Sequence, residues 1–155
     1  MDSLTIRKAT QKDLPSIQEI EKVSFPSPWS TSTFLTTLYD HRCRNIVVCS
    51  GGVVIGYCFA FTMKNMIHLL NLAVHPEHRK KGIAKRLLNE IISDARRDNK
   101  AYVFLEVRKS NQQARLLYES MGFCHVSTWP RYYTDTREDA DVMVKKLEGA
   151  LRERH

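Results

Sequence analysis

A chain of 155 residues with 43% hydrophobic and 26% charged side chains is long enough for one buried core, too short for two, and ordinary in composition for a globular protein. Its formal charge of +7 calls for an anionic partner, a condition that nucleic acid, a membrane surface and a phosphorylated cofactor all meet. Cys43, Cys49, Cys58 and Cys124 show no C-x-x-C pair and no metal-like spacing, which disfavours a zinc site; reduced, buried thiols in a cytoplasmic protein are expected instead. No basic start leads into an apolar run, and nowhere do about eighteen apolar residues follow one another, so neither a signal peptide nor a membrane span is expected.

In chain order, Leu4 to Ala9 alternates as a half-buried strand does. Thr10-Gln11-Lys12-Asp13 supplies a helix start for Leu14, Ile17, Ile20 and Glu21, the first three at helical spacing. Two prolines among aromatics break the pattern over Ser24 to Ser30, and Ser30 is placed to cap a second helix carrying Phe34, Leu35 and Leu38. The loop aromatics Phe25 and Trp29 suit a lid on the core, slightly favoured, or the wall of a binding groove. Asn45 to Cys49 and Val53 to Thr62 are β-rich runs joined by Ser50-Gly51-Gly52, a hairpin signal. An apolar strand then runs from Ile67 to Val74, and a basic turn leads from it into a helix with Ile83, Leu87, Leu88, Ile91, Ile92 and Ala95 on one face. Ala101 to Val107 is a nearly continuous apolar strand, of the kind covered on both faces. Asn111 opens a helix that ends at Gly122, Phe123 to Trp129 makes a sixth strand, Pro130 to Asp139 a long polar loop, and Ala140 to Leu147 a last strand. Residues 148–155 form a charged tail expected to fray. Without a repeat or linker, one mixed α/β domain over residues 1–155 is the expectation.

Three places carry candidate chemistry. The strand, turn and helix around His75 to Ala84 let backbone N–H groups converge where the helix end favours a phosphate, with Gly82 and Ala84 keeping the backbone bare; an ordinary soluble surface turn reads equally well. Glu106 stands among Val103, Phe104, Leu105 and Val107, and burying a carboxylate is costly unless it is paired. It therefore bridges to Arg108, occupies the one polar face of an alternating strand, or serves as a general base. Tyr118 shares a broad helix face with Asn111 and Arg115, where it either packs in the core or gives a proton to a thiolate leaving group. The six histidines have no triad or metal spacing and read as structural or surface residues.

Arg79-Lys80-Lys81-Gly82-Ile83-Ala84 after an apolar strand, Leu105-Glu106-Val107-Arg108-Lys109-Ser110-Asn111, and Leu117-Tyr118-Glu119-Ser120-Met121-Gly122-Phe123, in that order and spacing, resemble the GNAT acyl-CoA N-acyltransferase superfamily. With Arg131, Tyr132, Tyr133 and the following Glu138, Asp139 and Ala140, the chain is similar within it to the bacterial RimI ribosomal-protein alanine acetyltransferases and their archaeal Ard1-type relatives, over residues 4 to 147. The resemblance implies an α/β fold whose mixed, mostly antiparallel sheet is flanked by helices and splays between strands four and five, with acetyl-CoA in the cleft. It implies that the backbone of Leu72, Ala73 and Val74 pairs with the pantetheine arm, and that Arg79, Lys80, Lys81, Gly82, Ile83 and Ala84 hold the pyrophosphate with Lys85 or Arg86 beside them. Asn111 and Tyr118 would also meet the cofactor. By the same likeness Glu106 is the general base and Tyr118 the general acid, Tyr132 and Tyr133 are one wall of a peptide slot, and the Phe25 to Trp29 loop is the other. No metal is implied. Two departures stand out: Ala84 replaces the last glycine of the phosphate turn, and Thr134-Asp135-Thr136-Arg137 lacks an expected glycine, which leaves the shape of that loop open.

Three readings compete. The first is an N-terminal protein acetyltransferase acting on a ribosomal protein or a nascent chain, for which only modest help is needed because an α-amine has a pKa of about 7.7–8.0. The second acetylates lysine side chains or a small amine, and the Tyr132-Tyr133 loop disfavours it by blocking lateral entry. The third is a non-catalytic ribosome- or nucleic-acid-binding module, which would need neither Glu106 nor Tyr118. Cofactor phosphates absorb part of the basic excess, so direct nucleic-acid binding is disfavoured, and no membrane partner is expected.

Overall fold

The computed structural model of the chain describes residues 3–147, so the expected fraying of 148–155 lies outside the described residues. Among them, strands β1 (Leu4–Lys8), β2 (Cys43–Ser50), β3 (Val53–Thr62), β4 (Met66–Val74), β5 (Tyr102–Arg108), β6 (Cys124–Tyr133) and β7 (Glu138–Lys146) form one sheet in the order β1-β2-β3-β4-β5-β7-β6. Four helices accompany it: α1 (Leu14–Ser24), α2 (Thr31–Tyr39), α3 (Ile83–Arg97) and α4 (Gln112–Ser120). β4 and β5 run parallel, whereas β1–β2, β2–β3, β5–β7 and β6–β7 are antiparallel. This is the mixed, mostly antiparallel α/β fold that the sequence resemblance implies. The β4–β5 pairing covers Met66–His68 against Tyr102–Phe104, the first three residues of each strand, although β4 runs on to Val74 and β5 to Arg108. No helix among the described residues is long and apolar enough to cross a membrane.

The chain divides into two compact units, Met1–Thr62 with Leu70–Ile91 and Met63–Leu69 with Ile92–His155. In the first, Leu14, Ile17 and Ile20 put the apolar face of α1 into a core with Phe34, Tyr57 and Phe59, each buried aliphatic side chain contributing about 1.5–3 kcal/mol. Ser30 caps α2 as expected, its hydroxyl accepting from the Thr33 N–H at 3.1 Å. Ser50 pairs with Val53, and Gly51 and Gly52, at φ 56° and 82°, make the two-residue hairpin turn that needs left-handed backbone. Gly56 has a packing role: a Cβ there would stand 3.0 Å from Val48 and 3.1 Å from the Ala73 carbonyl. Asp13 bonds the Arg7 guanidinium through both oxygens at 2.8 Å, tying β1 to the start of α1. That bond holds the Asp13 carboxyl below the usual carboxylate range.

The second unit departs from expectation in three ways. β5 is not covered on both faces: Val103, Leu105 and Val107 are buried, while Tyr102, Phe104, Glu106 and Arg108 alternate with them on a half-exposed face. Two aromatics on the open face made an alternating strand look continuous in composition. Second, the long loop expected from Pro130 to Asp139 shrinks to residues 134–137, because β6 continues to Tyr133 and β7 begins at Glu138. β6 is an edge strand, and Pro130, with no N–H to donate, falls where its pairing with β7 is interrupted. Between Trp129, opposite Ala140, and Tyr133, opposite Glu138, the three residues Pro130, Arg131 and Tyr132 face Asp139 alone, and Arg131 takes φ 51°. Third, Cys124 is exposed because it begins that same edge strand; of the thiols in the first unit, Cys49 and Cys58 are buried as expected and Cys43 is half-buried.

Candidate functional site

In the first unit the basic turn joins the end of β4 to α3. Leu72 is half-buried and Ala73 and Val74 are buried. His75 caps a 3₁₀ turn, Pro76–His78, by accepting from the Glu77 N–H at 3.1 Å. Arg79 then folds back, its Nε donating to the Val74 carbonyl and a terminal nitrogen to the Ser24 hydroxyl, both at 2.9 Å. The guanidinium is thus a brace between the end of α1 and the end of β4. Lys80 and Gly82 both take left-handed backbone, φ 64° and 77°, and a Cβ on Gly82 would meet nothing within 4 Å. Alternating backbone of this kind turns N–H groups toward one concavity, and the first turn of α3 adds donors that no helical carbonyl accepts. Lys80, Lys81, Lys85 and Arg86 are exposed around it. The residues fit a phosphate-bearing group, with Ile83 buried below and Ala84 half-buried.

The second unit gathers a different set of groups. Glu106 Oε2 lies 2.6 Å from His68 Nε2, with the two side chains 11% and 24% exposed. His68 also stacks on Phe104, ring centres 4.2 Å apart at 9°. The register explains the meeting: His68 pairs with Phe104 across the parallel strands, and Glu106 is the next residue on that face of β5. Of the three readings of Glu106, the bridge to Arg108 is absent among the described residues, since Arg108 turns to Asp135 at 2.8 Å and Glu138 at 3.6 Å, whereas the alternating strand with Glu106 on its more open face is present. Tyr132 and Tyr133 meet edge-on, 5.1 Å apart. Burial first, and then the Glu106 charge, raise both phenols, Tyr133 to about 12. Glu106 and His68 are therefore brought together, and Tyr132 and Tyr133 lie within reach of the Glu106 charge. Tyr118 is buried on α4 against Phe123, ring centres 5.7 Å apart, and Asn111 caps that helix, its Oδ1 accepting from the Ala114 N–H at 3.2 Å.

Two features escape sequence reasoning. His68 was indistinguishable from a surface histidine until the β4–β5 register placed it beside Glu106. The second is Glu21, which is 2% exposed: Tyr57 donates its hydroxyl to Oε1, Asn71 donates to the same oxygen at 2.8 Å, and the Trp29 N–H donates to Oε2 at 2.9 Å. That charge, after burial itself, pushes the Tyr57 phenol up. The fixed loop sends the Trp29 ring against Phe34 and Phe59, at 5.2 and 6.0 Å, and Phe25 likewise packs on the core. No group of three His, Cys, Asp or Glu among the described residues is arranged to hold a metal ion.

Known proteins share this architecture. The family model described as Acetyltransferase (GNAT) family matches residues 14–123, a span that runs through both units. The [Ribosomal protein bS18]-alanine N-acetyltransferase of Escherichia coli K12 is 33% identical over 141 residues, 90% of this chain and 95% of the relative. The crystal structure of the ribosomal-protein-S18-alanine N-acetyltransferase from Escherichia coli agrees with a TM-score of 0.86 at 32% identity, covering 93% of this chain and 94% of that one. Ard1 from Thermoplasma volcanium gives 0.86 at 26% identity, covering 93% and 97%. Arabidopsis thaliana NAA60 in complex with acetyl-CoA, 22% identical, has the same fold, with a TM-score of 0.83 over 94% of this chain and 100% of that one.

Proposed function

The chain belongs to the acetyltransferase (GNAT) family and is an N-acetyltransferase of the RimI and Ard1 kind; from that premise we propose that it moves an acetyl group from acetyl-CoA to the free α-amine of a protein N-terminus. Residues 1–155 act as one acetyltransferase domain. The acceptor is a ribosomal protein or a nascent chain, which places the work in the cytoplasm. The observation that carries the reading is the His68–Glu106 contact at 2.6 Å, with the Tyr132-Tyr133 pair feeling the Glu106 charge.

Acetyl-CoA supplies an activated acetyl thioester. The backbone of Leu72, Ala73 and Val74 receives its extended arm, and the N–H groups of the Lys80–Gly82 turn and of Ile83, Ala84 and Lys85 receive its phosphates, helped by the Lys80, Lys81 and Lys85 side chains. Arg79 serves through its backbone, because its guanidinium is committed to Val74 and Ser24. Asn111 uses its carboxamide nitrogen, since its oxygen caps α4. Glu106, steered by His68 on one oxygen, takes a proton from the acceptor amine and so frees its lone pair. The Tyr118 hydroxyl gives a proton to the sulfur as the thiol departs and recovers one from the second proton that the acceptor nitrogen sheds, so one amide forms and one thioester breaks. Tyr132 and Tyr133 contact the acceptor, as does the loop bearing Phe25 and Trp29. An α-amine, at a pKa of about 7.7–8.0 against about 10.4 for lysine, asks less of a carboxylate base. The test is mass spectrometry of peptides with a free N-terminus and an internal lysine, incubated with acetyl-CoA and the protein. Acetylation of the α-nitrogen is expected; modification confined to lysine, or none, overturns the reading.

A further inference from the structure

Arg108 is a charged side chain beside the proposed base that the reaction leaves without a task. It follows Glu106 by two residues on β5 and so shares its face, yet its guanidinium turns to the β6–β7 connection. Its terminal nitrogens donate to the two Asp135 oxygens at 3.0 and 2.8 Å, one of them also donates to the Thr136 hydroxyl at 3.0 Å, and Glu138 lies 3.6 Å away. Its Cζ lies over the Tyr133 ring, 4.1 Å from the centroid. Two carboxylates surround one cation whose side chain is 16% exposed, so the charge is neutralised in place and is not offered to a substrate. What remains is mechanical. A planar guanidinium meets a carboxylate edge-on and a phenol ring face-on at once, a combination that an ammonium group lacks.

Tyr133 is the far end of this linkage. Its phenol feels the Glu106 charge, and its ring meets Tyr132, which in turn meets Trp129 at 5.2 Å. The turn carries one unfavourable conformation, Arg137 at φ 61°, and is held by its own hydrogen bonds, the Thr136 N–H donating to Asp135 at 2.8 Å, together with those from Arg108. Thr136 accepts from Arg108 and donates to Glu138 at 3.0 Å, and the Glu138 carboxylate accepts from the Ser110 N–H at 3.2 Å. Arg108 therefore joins the base-bearing strand to the aromatic wall in a single side chain.

We infer that Arg108 is a positioning residue that sets acceptor selectivity, holding Tyr133 and the 134–137 turn to the strand face that bears Glu106 so that the amine of a chain end fits and the amine of a side chain on a continuing backbone does not. The inference rests on the α-amine reading above. A continuing backbone carries bulk on both sides of the amine-bearing residue, and a wall held close to the base excludes one of those sides. A loosened wall admits both acceptors more equally and grips the chain end less well.

The test is steady-state kinetics of the wild type, Arg108→Lys and Asp135→Asn on two peptides of one sequence, the first with a free α-amine and no lysine, the second with a blocked N-terminus and one lysine. Arg108→Lys raises KM for the free-α-amine peptide about tenfold, leaves kcat and the acetyl-CoA KM within about threefold, and lowers the α-over-ε ratio of kcat/KM about tenfold, the scale set by loss of a bidentate bond and a cation–π contact. Asp135→Asn, which keeps the ring contact and weakens the pin, shifts each quantity in the same direction by less, and it decides the matter if Arg108→Lys does not fold. An unchanged peptide KM and ratio in both variants overturns the inference, as does an equal rise in both KM values. A wild type inactive on the free-α-amine peptide overturns the acceptor reading itself, whereas an active wild type with an unaffected Arg108→Lys overturns this inference alone.

Discussion

Glu21 in the first unit and Glu106 in the second are both carboxylates set into apolar elements, and their surroundings differ in what they leave available. Glu21 is 2% exposed and accepts hydrogen bonds from Tyr57, Asn71 and the Trp29 N–H, so α1, β3, β4 and the loop before α2 converge on it. Glu106 is anchored through one oxygen by His68, on a strand face that stays half-exposed, with two neutral phenols close by. A carboxylate saturated by donors holds a fold together, because removing it strands those donors. One anchored on a single side and open on the other is equipped to exchange a proton.

Four substitutions test that contrast, the largest effect first. Glu106→Gln is expected to lower kcat by about 10²–10⁴-fold, with the melting temperature and the acetyl-CoA KM little changed; undiminished turnover removes Glu106 as the base. Glu21→Ala is expected to do the reverse, costing about 3 kcal/mol in denaturant unfolding because three donors lose their acceptor. A Glu21→Ala protein as stable as the wild type breaks the comparison from the other side. Tyr118→Phe keeps the ring packed on Phe123 and is expected to slow turnover by about tenfold or more while leaving unfolding and acetyl-CoA binding unchanged; a full-rate variant means the tyrosine only packs. The smallest effect is expected of Arg137→Gly, which relieves left-handed backbone worth about 1–2 kcal/mol and loses about 0.5–1 kcal/mol to the freer unfolded chain. A gain of about 0.5 kcal/mol in chemical denaturation is the expected result, and a loss means the Arg137 side chain does more than tolerate the turn.

The sequence makes some of this legible and hides the rest for identifiable reasons. The apolar face of α3 is readable because Ile83, Leu87, Leu88, Ile91, Ile92 and Ala95 recur at helical spacing, and all six are buried. Glu106 is noticeable because a lone carboxylate in an apolar run needs a partner. Its partner is not readable, since His68 lies 38 residues away and only a parallel register brings the two together. The Glu21 network has the same difficulty: Asn71 reaches it across 50 residues. Past Trp129, a proline and several polar residues look like a loop, and edge-strand pairing that tolerates both is a property of the whole sheet rather than of those residues. The glycine missing from residues 134–137 is a signal that can be followed, because Arg137 takes up left-handed backbone there.

The bulge at Pro130 and Arg131 has one more consequence. β6 is a ten-residue outer strand bearing Val126, Trp129 and Tyr132 in the open, the sort of border on which foreign chains readily nucleate intermolecular sheet. An imino acid without a donor, a kink beside it, and a second irregularity between His125 and Ser127 interrupt the regular ladder that such templating requires. Exposed aromatic side chains can therefore change along this border, and recognition with them, without turning it into a seed for aggregation.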